Sequence, residues 1–203
     1  MSHDVKDLSF TGNNPGAARF GNFINYYSFH SSKERINNLH PTMFSNIDSI
    51  DIDPTLIERA QERNTNNGIS FVTTDITTEN GCEQIQEYIK NEKKEMFDIV
   101  FCFSVTMWIH INTGDLGLQK FLKFLKQNSK TIIVEPQPWK CYKNAQRRMK
   151  KSGKVFELFE TLTIRDNVDK EIEDILNDKT HIKIYESPSS SWNRKIQCYH
   201  LIQ

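Results

Sequence analysis

Residues 97–112 read FDIVFCFSVTMWIHIN, residues 114–130 GDLGLQKFLKFLKQNSK, and residues 131–142 TIIVEPQPWKCY. The pattern predicts a buried strand over Phe97–Phe103, a loop dense in aromatic and polar groups, and an amphipathic helix over Gly114–Lys126. A second strand follows over Thr131–Val134, and then a loop stiffened by Pro136 and Pro138. Both strands run out into residues a hydrophobic core does not need. After the first come Ser104, Thr106, Trp108 and His110; after the second come Glu135, Gln137 and Trp139. Ligands of open α/β sheets bind beyond the carboxyl ends of the strands. This stretch therefore reads as the floor of an active site.

Strands and helices alternate on either side of it. Ile47–Ile52 reads as a strand. Asp53 and Pro54 then supply an N-cap and a first helical residue for a helix reaching about Asn64. Ile69–Thr73 is a strand ending at Asp75. Cys82–Asn91 is a helix with Ile85, Tyr88 and Ile89 on one face. Lys140–Lys151 is a basic helix and Val168–Leu176 an acidic one. Ile182–Tyr185 and Ile196–Ile202 read as two closing strands joined by a turn that suits antiparallel pairing. Upstream, residues 1–18 read as a flexible polar tail, residues 20–29 (FGNFINYYSF) are crowded with aromatics, and Ser31–Leu39 suits a short helix. The alternation predicts an α/β fold, a mostly parallel sheet with helices on both faces, in one domain over residues 19–203.

Composition narrows the function classes. The 203 residues carry 26 basic and 26 acidic side chains, so net charge does not point to nucleic acid, although its local distribution can. No apolar run reaches membrane-spanning length, and the first residues lack the pattern of a secretory signal. The four cysteines are scattered without a CxxC pair, which argues against a structural metal site and for reduced thiols in the cytosol or nucleus. A dinucleotide-dependent dehydrogenase is a poor fit, because no GxGxxG occurs.

Three strand ends carry side chains suited to a ligand. Asp51 can accept two hydrogen bonds from a ribose diol, or merely help to cap the next helix. Asp75 can meet an adenine amino group, or serve as a turn aspartate. Phe103 can lie on an adenine face, or belong to the core.

The blocks SVTMWIHIN, GDLGL and EPQPWKCY, with FGNFINYYSFH upstream, resemble the Bicoid-interacting protein 3 family of RNA methyltransferases. The resemblance runs from about Phe20 to the C-terminus and is closest to the branch that methylates a 5′-terminal monophosphate. It implies a class I, Rossmann-like fold with S-adenosylmethionine as cofactor. It also implies a small RNA substrate, such as a transfer RNA or a microRNA precursor. On the matching positions it implies cofactor contacts at Arg35, Asp51, Ile52, Asp75, Ile76 and Phe103. A monomer without membrane contact is expected.

Methyl transfer to phosphate needs no strong base, because the acceptor is already ionised. Donors are needed instead, and His110, Lys140, Lys143, Arg147 and Arg148 are the candidates, with Lys140 favoured and Gln137 as a further donor. His110 can equally be a satisfied structural histidine. Glu135 would repel a phosphate, so it is expected to organise the loop or to hold a cationic side chain. Lys140, Lys143, Arg147 and Lys151 recur at three- and four-residue steps, and so share one helix face. Such a stripe suits an RNA backbone, or is simply solvated. Tyr26 and Tyr27 can stack on the terminal base or pack inward. Trp108 and Trp139 are candidate walls of the pocket, with core packing the commoner outcome for Trp108.

One departure from the family pattern stands out. No glycine lies between Gly21 and Gly68, so the strand and glycine-rich loop that should precede the ribose aspartate are missing. A strand, loop and helix need roughly 30 residues, and residues 39–46 cannot hold them. The first strand of such folds is central, beside Phe97–Phe103, so its loss should open the sheet. An exon-skipped or mispredicted gene product, a divergent protein that repacks its sheet, and a non-catalytic RNA-binding relative would each explain it.

Overall fold

The computed structural model describes residues 47–64, 68–190 and 193–202. The expected tail, the aromatic stretch at 20–29 and the helix at 31–39 lie outside these residues. The chain divides into two compact units, Met1–Gly81 and Cys82–Gln203.

In the first unit, β1 (Ile47–Asp51), α1 (Pro54–Arg63) and β2 (Ile69–Thr73) form a strand–helix–strand element. The two strands pair in parallel, with Ile47 opposite Ile69 and Asp51 opposite Thr73. Helix α1 starts where the sequence predicts. Asp53 takes the Thr55 amide on Oδ1 at 2.9 Å, and Pro54 needs no amide partner in the first turn. Helix α2 (Glu79–Asn91) begins three residues ahead of the expected Cys82. Thr78 Oγ1 caps it by accepting the Gly81 amide at 3.1 Å. Gly81 is a close-approach residue. A Cβ at that position would lie 1.9 Å from the Asp75 carbonyl oxygen.

The second unit holds β3 (Phe97–Phe103), α3 (Thr106–Asn128), β4 (Ser129–Glu135), α4 (Trp139–Lys151), α5 (Val168–Leu176), β5 (His181–Glu186) and β6 (Gln197–Leu201). The sheet order is β3-β4-β6-β5. The β3–β4 pair is parallel, and the β4–β6 and β6–β5 pairs are antiparallel, so the sheet is mixed. Alternation along the strands decides its two faces. Ile132, Val134 and Tyr199 point inward and are fully buried together with Leu118 and Leu122 of α3 and Ile172 and Leu176 of α5. Each such side chain contributes about 2 kcal/mol relative to exposure. The opposite face keeps Ile99, Ile182 and Ile184 exposed.

The expected loop after β3 is helix. Thr106–Ile111 is the first part of α3, and the helical backbone breaks only at Gly114, whose φ of 76° kinks the element. Met107, His110 and Ile111 are spaced three and four apart and all buried, continuing the stripe of Leu118, Phe121, Leu122 and Leu125. The density of Trp, His and Asn residues masks that period in the sequence.

Among the described residues β3 has a strand neighbour on its β4 side alone, and β1 pairs with β2 alone. The strand expected between them in a class I sheet is not among the described residues.

Candidate active site

The carboxyl ends of β3 and β4 are tied together by polar side chains. Ser104 follows β3 with a φ of 58°, a left-handed conformation that costs a non-glycine residue energy and occurs where surroundings enforce it. Its hydroxyl donates to Glu135 Oε2 at the end of β4. Its carbonyl accepts from Gln137 Nε2 at 2.5 Å. Gln137 Oε1 in turn accepts from the Thr106 hydroxyl at 3.1 Å and the Met107 amide at 3.2 Å. Gln137 thus staples the β4 loop to the start of α3. It is buried and makes these bonds with both ends of its side-chain amide.

A cation completes this cluster. Arg194, in the β5–β6 connection, donates from Nη1 to Ser104 Oγ at 2.8 Å and lies 3.7 Å from Glu135 Oε2. This is the cationic partner expected for Glu135. Arg194 Nη2 reaches Cys141 Sγ in the first turn of α4 at 3.6 Å.

His110 is likewise held by protein partners. The ring is fully buried. Nε2 lies 2.7 Å from Asp115 Oδ1, and Nδ1 lies 2.9 Å from the Tyr142 hydroxyl. With the carboxylate accepting from Nε2–H, Nδ1 must accept from Tyr142. Burial pushes the imidazole below its ordinary 6.5, with Asp115 pulling the other way. The neutral form fits these bonds. Asp115 also accepts from the Thr163 amide at 2.8 Å, the Thr163 hydroxyl at 2.7 Å and the Ile164 amide at 3.3 Å. Burial alone would raise its carboxyl; the bonds from His110, Thr163 and Ile164 overcome that and hold it at about 2.

Trp139 opens α4 and is half-buried. Its ring stacks on Phe159 with centroids 5.1 Å apart and packs on Tyr142 at 4.9 Å. The Arg165 guanidinium sits 5.4 Å from its centroid. The ring is therefore packed among protein neighbours at the start of α4. Lys140, Lys143 and Arg147 are exposed on the outer face of α4, opposite the buried Tyr142, Ala145, Gln146 and Met149. None of the three forms an ion pair among the described residues. Lys140, in the first turn of α4, lies nearest in the chain to the strand-end loop.

The expected cofactor residues lie in both units. Asp51 is half-buried at the end of β1 and takes the Asp53 amide on Oδ1 at 2.8 Å. Burial raises its carboxyl above the ordinary 3.8, against the backbone bond from Asp53. Asp75 accepts from both the amide and the hydroxyl of Thr77, at 2.9 and 2.6 Å, the geometry of a turn aspartate. Ile52 and Ile76 are half-buried beside these acids. Phe103 ends β3 with its ring 5.7 Å from Phe101. Arg35, Tyr26 and Tyr27 lie outside the described residues. The acidic strand end suited to a ribose is present, but no glycine-rich turn precedes it in the sequence. No group of three or more metal-ligating side chains occurs among the described residues.

Sequence reasoning missed Arg194, Asp115 and Tyr142 as site-forming residues. Asp115 had a local signal: it lies five residues after His110, one turn and a kink along the same helix. Arg194 had none, being 90 positions from the serine it bonds.

The profile of the Bicoid-interacting protein 3 family matches residues 97–201. A pre-miRNA 5′-monophosphate methyltransferase of Xenopus laevis is 32% identical over 234 positions, covering 90% of this chain and 92% of that protein. An RNA 5′-monophosphate methyltransferase of Homo sapiens is 30% identical, covering 90% of this chain and 80% of that protein. The corresponding protein of Mus musculus is 39% identical over 151 positions, 72% of this chain and 53% of that protein. A solved SAM-dependent methyltransferase of Anabaena variabilis superposes with a TM-score of 0.51 at 10% identity, covering 85% of this chain and 73% of that one. The Xenopus alignment uses 90% of 203 residues, about 183, and so leaves about 50 of its 234 positions opposite gaps in this chain. The mouse alignment uses about 146 residues for 151 positions and is nearly continuous.

Proposed function

Because this chain belongs to the Bicoid-interacting protein 3 family, we propose that it methylates the 5′-terminal monophosphate of a small RNA, with S-adenosylmethionine as the methyl donor. The observation that carries this is the union of two features in one unit: a polar cluster at the carboxyl ends of β3 and β4, and a basic helix that begins at that cluster. The relatives named for a 5′-monophosphate methyltransferase activity supply the chemistry such a site would serve.

The chain's own residues act on the phosphate side. A terminal phosphate is ionised near neutral pH and nucleophilic without a base, so the site needs to position it and to spread its charge. Lys140 lies at the rim with a free ammonium. Lys143 and Arg147 continue the positive track along α4, where the RNA backbone would run. Gln137 and Ser104 hold the two strand ends in register, and Tyr142, through His110 and Asp115, holds the first turns of α4 against α3. The four cysteines are free thiols, which fits action in a reducing compartment, and we place that action in the cytoplasm or nucleus.

The test is transfer of label from S-adenosylmethionine to 5′-monophosphate RNA, with 5′-hydroxyl and 5′-triphosphate RNA as comparison substrates. Labelling confined to the monophosphate form is the expected result. Equal labelling of the triphosphate would remove the branch assignment.

A second reading has its own observation. The missing glycine-rich turn and the one-sided pairing of β3 among the described residues favour a form that binds RNA without the cofactor. Calorimetry with S-adenosylmethionine separates the two: heat of binding that disappears in Asp51→Ala supports the enzyme. RNA binding without such heat supports the second reading.

A further inference from the structure

The Arg194 guanidinium is incompletely used. Nη1 is well served by Ser104 Oγ and the nearby Glu135 carboxylate. The other edge of the group, formed by Nε and Nη2, presents two parallel N–H bonds of the kind that match a phosphate or carboxylate. On that edge Nη2 has a sulfur acceptor, Cys141 Sγ at 3.6 Å, which is a weak partner. Nε is buried and has no hydrogen-bond partner. It is the one such side-chain atom among the described residues, where buried donors are ordinarily satisfied.

The location matters as much as the unused donor. Arg194 reaches the carboxyl ends of β3 and β4 and the first turn of α4, where Lys140 is exposed. The connection that carries it is itself held. Ser190 accepts the Arg194 amide on its hydroxyl at 3.2 Å and donates its own amide to the Arg194 carbonyl at 2.8 Å. The Ser187 amide reaches the Ile196 carbonyl at 2.9 Å. The described part of that connection is thus tied by bonds at Ser187 and Ser190. Glu135 is buried beside it, and an uncompensated carboxylate there would repel any phosphate.

We propose that Arg194 selects RNA carrying a 5′-phosphate, by neutralising Glu135 on one edge of its guanidinium and taking the terminal phosphate on the Nε–Nη2 edge. The phosphate oxygens replace the Cys141 sulfur on Nη2 and give Nε an acceptor. The assignment rests on the RNA 5′-monophosphate reading above and names the residue that makes the distinction. It requires no cofactor and no turnover, so it can be read by binding alone.

The experiment uses the full chain and one single-stranded oligoribonucleotide, labelled at its 3′ end and prepared with either a 5′-monophosphate or a 5′-hydroxyl. Fluorescence anisotropy gives the ratio of the two dissociation constants. Wild type is expected to prefer the phosphate form about tenfold or more, a factor of ten being about 1.4 kcal/mol. Arg194→Ala should bring the ratio close to one while binding of the 5′-hydroxyl form stays near wild type. Arg194→Lys keeps the charge without the fork and should fall between. Arg194→Ala or Arg194→Lys with an undiminished ratio would overturn the assignment and leave the functional reading standing. Wild type without a preference would instead remove the functional reading, and this assignment with it. Should the alanine variant fail to fold, as judged by circular dichroism, the lysine variant decides alone.

Discussion

The residue whose chemistry is most exposed to experiment is Asp115. It receives four hydrogen bonds, from His110, from the Ile164 amide and from both donors of Thr163, and so joins α3 to the segment that precedes α5. Replacing it with alanine leaves a buried imidazole N–H and the backbone amides of Thr163 and Ile164 without this acceptor, a loss of about 2–4 kcal/mol of stability at neutral pH. Urea unfolding of Asp115→Ala measures this, and a loss below about 0.5 kcal/mol would show the network to be idle. The same pair sets a pH dependence. His110 lies below its ordinary 6.5 in the folded chain, and Asp115 lies at about 2 against an ordinary 3.8. Both folded values are lower than the unfolded ones, so on acidification the unfolded chain takes up protons first. Stability is then fully present above pH 6.5, declines as the pH falls below it through His110, and declines again below 3.8 as the pH approaches 2 through Asp115. Urea midpoints measured at several pH values should fall along this course, and midpoints independent of pH across the His110 window would contradict the burial described for it.

Among elements, α4 carries the strongest separable prediction. Its buried side, Tyr142, Ala145, Gln146 and Met149, holds it to the unit, whereas Lys140, Lys143 and Arg147 face outward. Reversing those three charges to glutamate should leave thermal unfolding within a few degrees of wild type. It should also reduce the slope of log affinity against log salt by roughly 2 if each contacts one phosphate of a single strand. An unchanged slope would mark the stripe as merely solvated. This helix was legible in the sequence because its charge period is the helical period. The strands were legible for a similar reason: Phe97–Phe103 and Thr131–Val134 are β-branched and aromatic runs bounded by polar residues. The first half of α3 was not legible. Its apolar positions Met107 and Ile111 are few, and the polar members of the stripe, Thr106 and His110, are buried because of partners far away in sequence, Gln137 and Tyr142. The site suffers from the same difficulty. Glu135 signals that it needs a cation, but nothing near it in the chain says that the cation arrives from position 194 through the β5–β6 connection.

For the whole molecule the governing fact is the division of the described strands into β1-β2 and β3-β4-β6-β5. The sequence anticipates this break, since residues 39–46 are too few for a strand, loop and helix. A central strand would supply hydrogen-bond partners for the second side of β3, and a glycine-rich turn at its end would bring backbone amides to a cofactor. Inserting the corresponding segment of the Xenopus protein between His40 and Ile47 should therefore change two properties together. S-adenosylmethionine should bind with measurable heat and protect the chimera against thermal unfolding, because a ligand that binds the folded state stabilises it in proportion to its occupancy. Amide exchange along β3 should slow, because its backbone groups gain partners on the second side. Slower exchange without cofactor binding would mean that the sheet closes but that other features also separate this chain from its relatives. If neither property changes, the second side of β3 is covered by some other part of the chain, and the strand order seen here is not the result of a missing central strand.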